Sequence, residues 1–390
     1  MRIRTILYLF LSLLFIFISI TPVFAQEDEQ ALDLASDAKS ALLMERDTGT
    51  IIFEKNANEP LPPASMVKIM TLLIVMEELA KGNLKKNEMV RVSENASSMG
   101  GSQVFLETGE EISVDDLIKS VAIASGNDAS VALAERISGS EQSFVKRMNE
   151  KVAELQLKNT RFKNVTGLPA KDQYSTAYDM AVIAKALLQY EDITTYTSIY
   201  EDYLRKGQKN EFWLVNTNKL VRFYPGVDGL KTGYTSEAKY CLTATAEKND
   251  MRMITVVMGA DSVKKRNHAT SEMLDYAFNH YETEQLFAKG DVIKTVPLLK
   301  AEQRDIQIVT GDSVRTIYKK EKPYENIKTH VKIEDDFSLP IKKGEQVGVL
   351  TVKDNNHVLS ETPLIVDSDI KEASFLTLFK RTLENLSKAR

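Results

Sequence analysis

The sequence predicts an α+β fold: an antiparallel sheet flanked by helices, with a mainly helical lobe between its strands and a small all-β domain after it. Three observations carry this. Strand-like alternation occurs near the start, at residues 41–44 and 50–54, and returns only after Gly229. The stretch between reads mostly as helix. Beyond Gly290 the composition changes to short β-branched runs separated by charged turns. With 390 residues, 43% hydrophobic and 27% charged, the chain exceeds what a single core usually fills, about 250–300 residues.

Taken in order, Arg2 and Arg4 precede an unbroken apolar stretch at 6–20, then Pro22 and the small-residue exit Val23-Phe24-Ala25. This is the pattern of a secretory signal peptide, 1–25, and the stretch is shorter than the about 20 apolar residues that span a bilayer. The expected location is therefore outside the cytoplasm. After a polar lead-in, the turn Arg46-Asp47-Thr48-Gly49 joins two strands into a hairpin. Pro60, Pro62 and Pro63 mark an extended loop, and 66–80 is apolar on nearly every side, as a buried helix is. Helical patterns follow at 114–124, 129–137, 143–155 and 177–188. Segments 229–235, 240–247 and 251–258 read as a three-strand meander, followed by a helix at 264–281. The β module has its runs at 292–299, 306–309, 314–318, 331–333, 347–352 and 364–366. The expected division is a main domain at 26–290, a β-rich domain at 291–369 and a tail at 370–390.

In the tail, Phe375, Leu376, Phe379, Leu383 and Leu386 share one helical stripe, extended by Leu378, with Lys380, Arg381, Glu384 and Lys388 mostly opposite. Such a helix suits a membrane interface, its cations near anionic headgroups. The alternative is a terminal helix docked on its own β domain.

Composition excludes several functions. A net charge of −5 and the absence of any nucleic-acid motif argue against a nucleic-acid partner. The single cysteine, Cys241, forms no internal disulfide and reads as a buried thiol. The four histidines, His268, His280, His330 and His357, all lie late and form no metal-binding pair, so no metal and no early histidine triad is expected.

A serine can still be activated without histidine if a neutral lysine takes its proton. Ser65-Met66-Val67-Lys68 places hydroxyl and amine on one helix face. Ser36/Lys39, Ser143/Lys146 and Ser262/Lys265 share that spacing, but only Ser65 sits where a proline-bound loop enters a buried helix. That setting gives the hydroxyl a mouth, the lysine a low dielectric and the Ser65 N–H a free donor. Lys231-Thr232-Gly233 supplies a second cation to depress the base, and Gly233 permits close backbone approach, with the Tyr234 N–H able to complete an oxyanion hole beside the Ser65 N–H. Ser125-Gly126-Asn127 offers a hydroxyl and an amide between two helical patterns. Ser93-Glu94-Asn95 has the same form, so the tripeptide alone decides nothing.

Together and in this order, SxxK, SxN and KTG resemble the motif set of the penicillin-recognising serine enzymes. The segments 63–71, 125–129 and 226–235 are similar to those of low-molecular-mass penicillin-binding proteins, the serine-type D-alanyl-D-alanine carboxypeptidases, over residues 38 to about 370. The resemblance implies a serine β-lactamase/penicillin-binding-protein-like domain and no cofactor. It implies Ser65 as acylated nucleophile, Lys68 as base, and Ser125 as the proton relay to the leaving D-alanine. Asn127 orients the substrate amide, Lys231 holds the positive potential, and Thr232 and Arg266 bind the terminal carboxylate. Its substrates are peptidoglycan stem peptides, its covalent inhibitors β-lactams, and its location the outer face of the cytoplasmic membrane. Many relatives have histidine where Thr166 stands. The alternatives are a DD-endopeptidase or transpeptidase, a weak β-lactamase with Glu154 as the glutamate that activates its deacylating water, and a silent wall-binding protein, which would tolerate loss of Ser65 or Lys68.

Overall fold

Strand β1 (Ser40–Glu45) is buried along its whole length, and its alternation explains why. Leu42 and Met44 face one core, whereas Ala41 and Leu43 face another. A strand covered on both sides reads as a continuous apolar run. The computed structural model describes residues 32–388 apart from 335–337 and 356, so the expected signal peptide lies outside the described residues. With β2 (Ile51–Lys55), β3 (Val227–Thr235), β4 (Lys239–Lys248) and β5 (Met251–Ala260), β1 forms a five-stranded antiparallel sheet in the order β2-β1-β5-β4-β3. Strand β3 is thus an edge, with one side left to bind something other than its own sheet.

One face of the sheet packs on α1 (Lys68–Ala80), in which every residue from Lys68 to Glu78 is buried. Around α1 stand α2 (Val114–Ala124), α3 (Asn127–Ser138), α4 (Glu141–Glu154) and α5 (Ala177–Leu187), which form the expected helical lobe. The other face is covered by α6 (Val263–His280) through Ala269, Met273, Leu274 and Ala277. Most of these helices start on a side-chain cap, and three of the decoy motifs lie at such starts. Ser262 accepts from the Lys265 N–H at the start of α6, and Ser140 accepts from the Ser143 N–H at the start of α4. Ser93 caps the short helix Glu94–Ser97.

Two departures from the sequence reading concern the β domain. Strand β6 (Tyr281–Phe287) begins where α6 ends and pairs with β9 (Val314–Lys319), so β structure starts ahead of the boundary expected at 291. The main β-domain sheet has the order β7-β8-β12-β11-β10, with β7 (Val292–Pro297), β8 (Asp305–Thr310), β10 (Ile327–Ile333), β11 (Gln346–Asp354) and β12 (His357–Val366). At its other end Ile370 bridges to Ile341 and Glu372 to Ala301, and the Ala373 N–H donates to Lys300 O at 2.8 Å. The domain therefore runs past 369 before helix α7 (Phe375–Lys388) begins. A hairpin, Glu201–Leu204 with Phe212–Val215, was also absent from the sequence reading.

The two domains join through charged groups around the β1–β2 turn. Asp312 accepts from Arg46 at 3.1 Å, and Arg315 meets Asp47 at 3.0 Å. Arg46 also donates to Leu188 O at 2.9 Å, which ties the turn to the end of α5.

Candidate active site

Ser65 lies in a single 3-10 turn, Ala64–Val67, directly ahead of α1. The turn is forced into place: Ala64 has φ +47°, a left-handed conformation unusual for a residue with a side chain. Gly167 presses on it so closely that a Cβ there would stand 1.9 Å from Ala64 O. The Gly167 loop is itself held by Asn164, whose Oδ1 accepts from the Thr166 N–H at 3.2 Å and the Gly167 N–H at 2.7 Å. From the other side Gly233 of β3 approaches, and a Cβ there would lie 3.0 Å from Pro63 O and 3.2 Å from Ser65 N. Ser65 and Tyr234 are thereby brought to one place, where the edge strand passes the turn.

Lys68 is fully buried, and its amine is the hub of the site. Nζ stands 3.1 Å from Ser65 Oγ, 2.7 Å from Asn127 Oδ1 and 2.6 Å from Thr166 O. Burial first, and then the neighbouring Lys231 charge, hold its pKa well below the usual lysine value, against the opposing pull of Asp128. Lys231 is buried too and is pushed down to about 7, by burial and by the Arg266 cation. Arg266 is buried on α6, its guanidinium donating to Asn267 Oδ1, and burial lowers it to about 10. The solvated basic cluster that neighbouring Lys264 and Lys265 suggested does not include it: Lys265 turns out to Asp37 at 2.8 Å.

Ser125 ends α2 in the left-handed region, φ +64°, and is buried. Among the described residues its hydroxyl makes no hydrogen bond. Asn127 begins α3; besides accepting from Lys68, it donates from Nδ2 to Gly100 O at 2.6 Å. The Asn127 side chain thus joins Lys68 to the 100–106 loop, and one of its N–H groups remains. That loop is clamped by Asp128, whose carboxylate accepts from the Val104 and Leu106 N–H groups at 3.0 and 3.1 Å. Thr232 donates to Thr217 Oγ1 at 2.7 Å.

The sequence reading missed Thr166 O, Asp128 and Thr217. Asn164 to Gly167 has turn composition that signals the loop, but nothing in a sequence marks a carbonyl as an amine's partner. Thr217 is one hydroxyl in a polar connection. Glu154, the candidate β-lactamase acid, lies on the surface paired with Lys151 at 2.6 Å, away from these groups. A larger cavity of about 720 Å3 lies at the far end of α1, by Met76, Leu79 and Leu84, and holds none of them.

Replacing Gly167 by Ala puts a methyl group into the Ala64 carbonyl at a positive φ. A loss of about 1–3 kcal/mol, typical of overpacking, is expected as a lower thermal midpoint, together with slower labelling by fluorescent penicillin. An unchanged midpoint would show that the loop does not brace the Ser65 turn.

Comparison with known proteins agrees with this arrangement. The D-alanyl-D-alanine carboxypeptidase family profile matches residues 25–262, and that of the penicillin-binding protein 5 C-terminal domain matches 281–372. The chain is 52% identical to the D-alanyl-D-alanine carboxypeptidase DacF of Bacillus subtilis (strain 168), over 94% of each chain. It is 34% identical to the D-alanyl-D-alanine carboxypeptidase DacC of Escherichia coli (strain K12), over 93% of this chain and 91% of that one. Among solved structures, penicillin binding protein 5 of Haemophilus influenzae superposes with a TM-score of 0.67 at 31% identity, covering 86% of this chain and 98% of that one. The family profile over residues 25–262, the matched β domain after it and 52% identity along nearly the whole chain place this protein in the D-alanyl-D-alanine carboxypeptidase family of serine peptidases.

Proposed function

We propose that Ser65 is the acylated nucleophile of this serine-type D-Ala-D-Ala carboxypeptidase and Lys68 its general base. The observation that carries the assignment is the buried Lys68 amine, 3.1 Å from Ser65 Oγ with a depressed pKa. A neutral amine has two N–H donors and one lone pair. Asn127 Oδ1 and Thr166 O are acceptors and take the two donors, which turns the lone pair to the Ser65 hydroxyl. Asn127 and Thr166 are then positioning groups for the base.

The stem peptide lies along edge strand β3, its terminal carboxylate at Thr232 in the field of Lys231 and Arg266. Ser65 Oγ gives its proton to Lys68 Nζ and bonds to the carbonyl carbon between the two D-alanines. The N–H groups of Ser65 and Tyr234 stabilise the resulting oxyanion. The carbon–nitrogen bond breaks as a proton passes through the Ser125 hydroxyl to the leaving amine, and D-alanine departs. Water then hydrolyses the ester and restores Ser65. A β-lactam enters the same first step, and hydrolysis of its adduct lacks the help of Glu154, which lies on the surface.

The protein is exported by its leader and held flat on the outer face of the cytoplasmic membrane by α7. Phe375, Leu376 and Phe379 support this, being 79%, 76% and 55% exposed on one side of that helix. Arg381 donates to Leu299 O, Ala301 O and Glu302 O at 2.7–2.9 Å, which ties the helix to its own domain. No helix among the described residues is long and apolar enough to cross a membrane.

Three outcomes test this reading. Ser65→Ala, Lys68→Ala and the double variant are expected to share one residual D-alanine release rate, because groups acting as one unit give non-additive losses. A Lys68→Ala enzyme retaining a tenth or more of wild-type turnover would refute the lysine base. Lys231→Gln removes the charge that depresses Lys68, so the acidic limb of the acylation profile moves to higher pH; an unmoved limb separates the two lysines. Ending the chain after Ser374 leaves the β-domain bridges intact and is expected to release penicillin-binding enzyme from anionic vesicles. Equal partitioning of both forms would rule out the anchor.

A further inference from the structure

We infer that the β domain carries a carbohydrate site, a tyrosine-lined pocket separate from the Ser65 site that takes the uncharged aminosugar chain to which wall stem peptides are attached. The inference rests on the reading of the substrate as peptidoglycan. A pocket of about 570 Å3 lies where the β domain meets the β1–β2 turn, within the roughly 300–1,000 Å3 range of small-ligand sites. Tyr281 at the start of β6, Tyr318 on β9 and Tyr324 in the β9–β10 connection supply its rings. Thr50 closes it from the main domain, and Asn326 and Asp354 add an amide and a carboxylate.

Tyr281 packs on Tyr276, ring centroids 6.1 Å apart, and so joins the core beneath α6. Tyr318 and Tyr324 meet edge to face, centroids 6.3 Å apart, and both stay half-exposed. Among the described residues neither hydroxyl has a hydrogen-bond partner, nor does the Asn326 side chain, and the Asp354 carboxylate accepts only from its neighbour Asn355 at 3.3 Å. Burial, and then the Asp354 charge, raise the Tyr324 phenol, so the carboxylate lies beside that ring. The charges of the lining cancel, Lys319 and Lys322 against Glu325 and Asp354, which leaves no field of one sign to select an ion. Such a pocket suits a neutral ligand with flat apolar faces and donors and acceptors at its rim. A pyranose chain has that chemistry: its C–H faces lie on tyrosine rings, and its acetamido N–H and C=O groups meet Asp354 and Asn326. Position favours the wall over the lipid. Strand β11 runs nine residues, at about 3.3 Å each, from the end of the domain where α7 begins to the pocket. With α7 on the membrane, the pocket lies on the side away from the lipid.

The test is calorimetric titration of the full mature chain with two peptide-free probes, the tetramer of N-acetylglucosamine and the glucose tetramer maltotetraose. Saturable binding of the aminosugar tetramer is expected, tighter than that of maltotetraose and unmoved by salt, since the ligand is neutral. Tyr318→Ala and Tyr324→Ala are each expected to weaken it about tenfold, the size of a lost aromatic contact. Both variants keep wild-type penicillin labelling and D-alanine release from a soluble pentapeptide, which also shows that they fold. Asn326→Ala, at an exposed side chain, carries the same test should a tyrosine variant unfold. On intact wall sacculi the variants release D-alanine more slowly than the unaltered chain, because only there is a glycan present to hold. No binding of either tetramer, equal binding of both, or an affinity unmoved by the tyrosine and Asn326 substitutions overturns the site. The probes carry no peptide, so absence of D-alanine release from the pentapeptide by the unaltered chain overturns instead the carboxypeptidase reading beneath it.

Discussion

A lysine amine sealed away from water at the first turn of a buried helix is the constraint on which the rest of this structure turns. Burial penalises the charged form of Lys68, and its pKa is held well below the usual lysine value. Sealing it requires apolar groups on every side, and α1 provides them by being buried between the sheet and the lobe. The same burial would leave the amine's N–H groups unsatisfied, and two segments remote in sequence answer that need with Asn127 Oδ1 and Thr166 O. Lys231 on the sheet edge depresses Lys68 further, and Arg266 on α6 in turn depresses Lys231, so positive potential is concentrated here.

The segments that meet at Lys68 are each held in unfavourable geometry by contacts made elsewhere. Ala64 and Ser125 adopt positive φ without being glycine, at a cost of order 1–3 kcal/mol each. Gly167 and Gly233 brace the Ala64–Ser65 turn from opposite sides, while Asp128 and Asn164 secure the loops behind it. Asn218 adds support at the sheet edge by donating to Gly229 O at 2.9 Å. Strain concentrated around one serine, with its supports spread over the lobe and the sheet, is the arrangement expected of a preorganised nucleophile. The edge position of β3 completes it, since an extended peptide can add there without displacing any strand.

Much of this was legible in the chain itself. The hairpin, the buried helix, the meander and the lobe follow from periodicities of two and 3.6, because each element buries a face set by its own residues. Ser65, Lys68, Ser125, Asn127, Lys231, Thr232 and Arg266 were identifiable from motif order, and the structure brings them to one region. The misses share a cause. The hairpin Glu201–Leu204 with Phe212–Val215 is short and half exposed, and so lacks a strong period. Strand β6 follows α6 without a turn residue, its pairing with β9 being a tertiary event.

Residue type and spacing by themselves marked Ser65 and Lys68 as the candidate pair, because among the serine–lysine spacings of the chain only this one stands where a proline-bound loop enters an apolar helix. What the tertiary structure alone decided is their state and their partners. Thr166 O, Asp128 and Thr217 reach the site through backbone paths that no local pattern records. Ser262, Ser143 and Ser93 match the motifs equally well on paper, yet fold into helix starts. Arg266 is buried while Lys265 beside it is not, because consecutive residues on a helix point about 100° apart and only one of them turns toward the sheet.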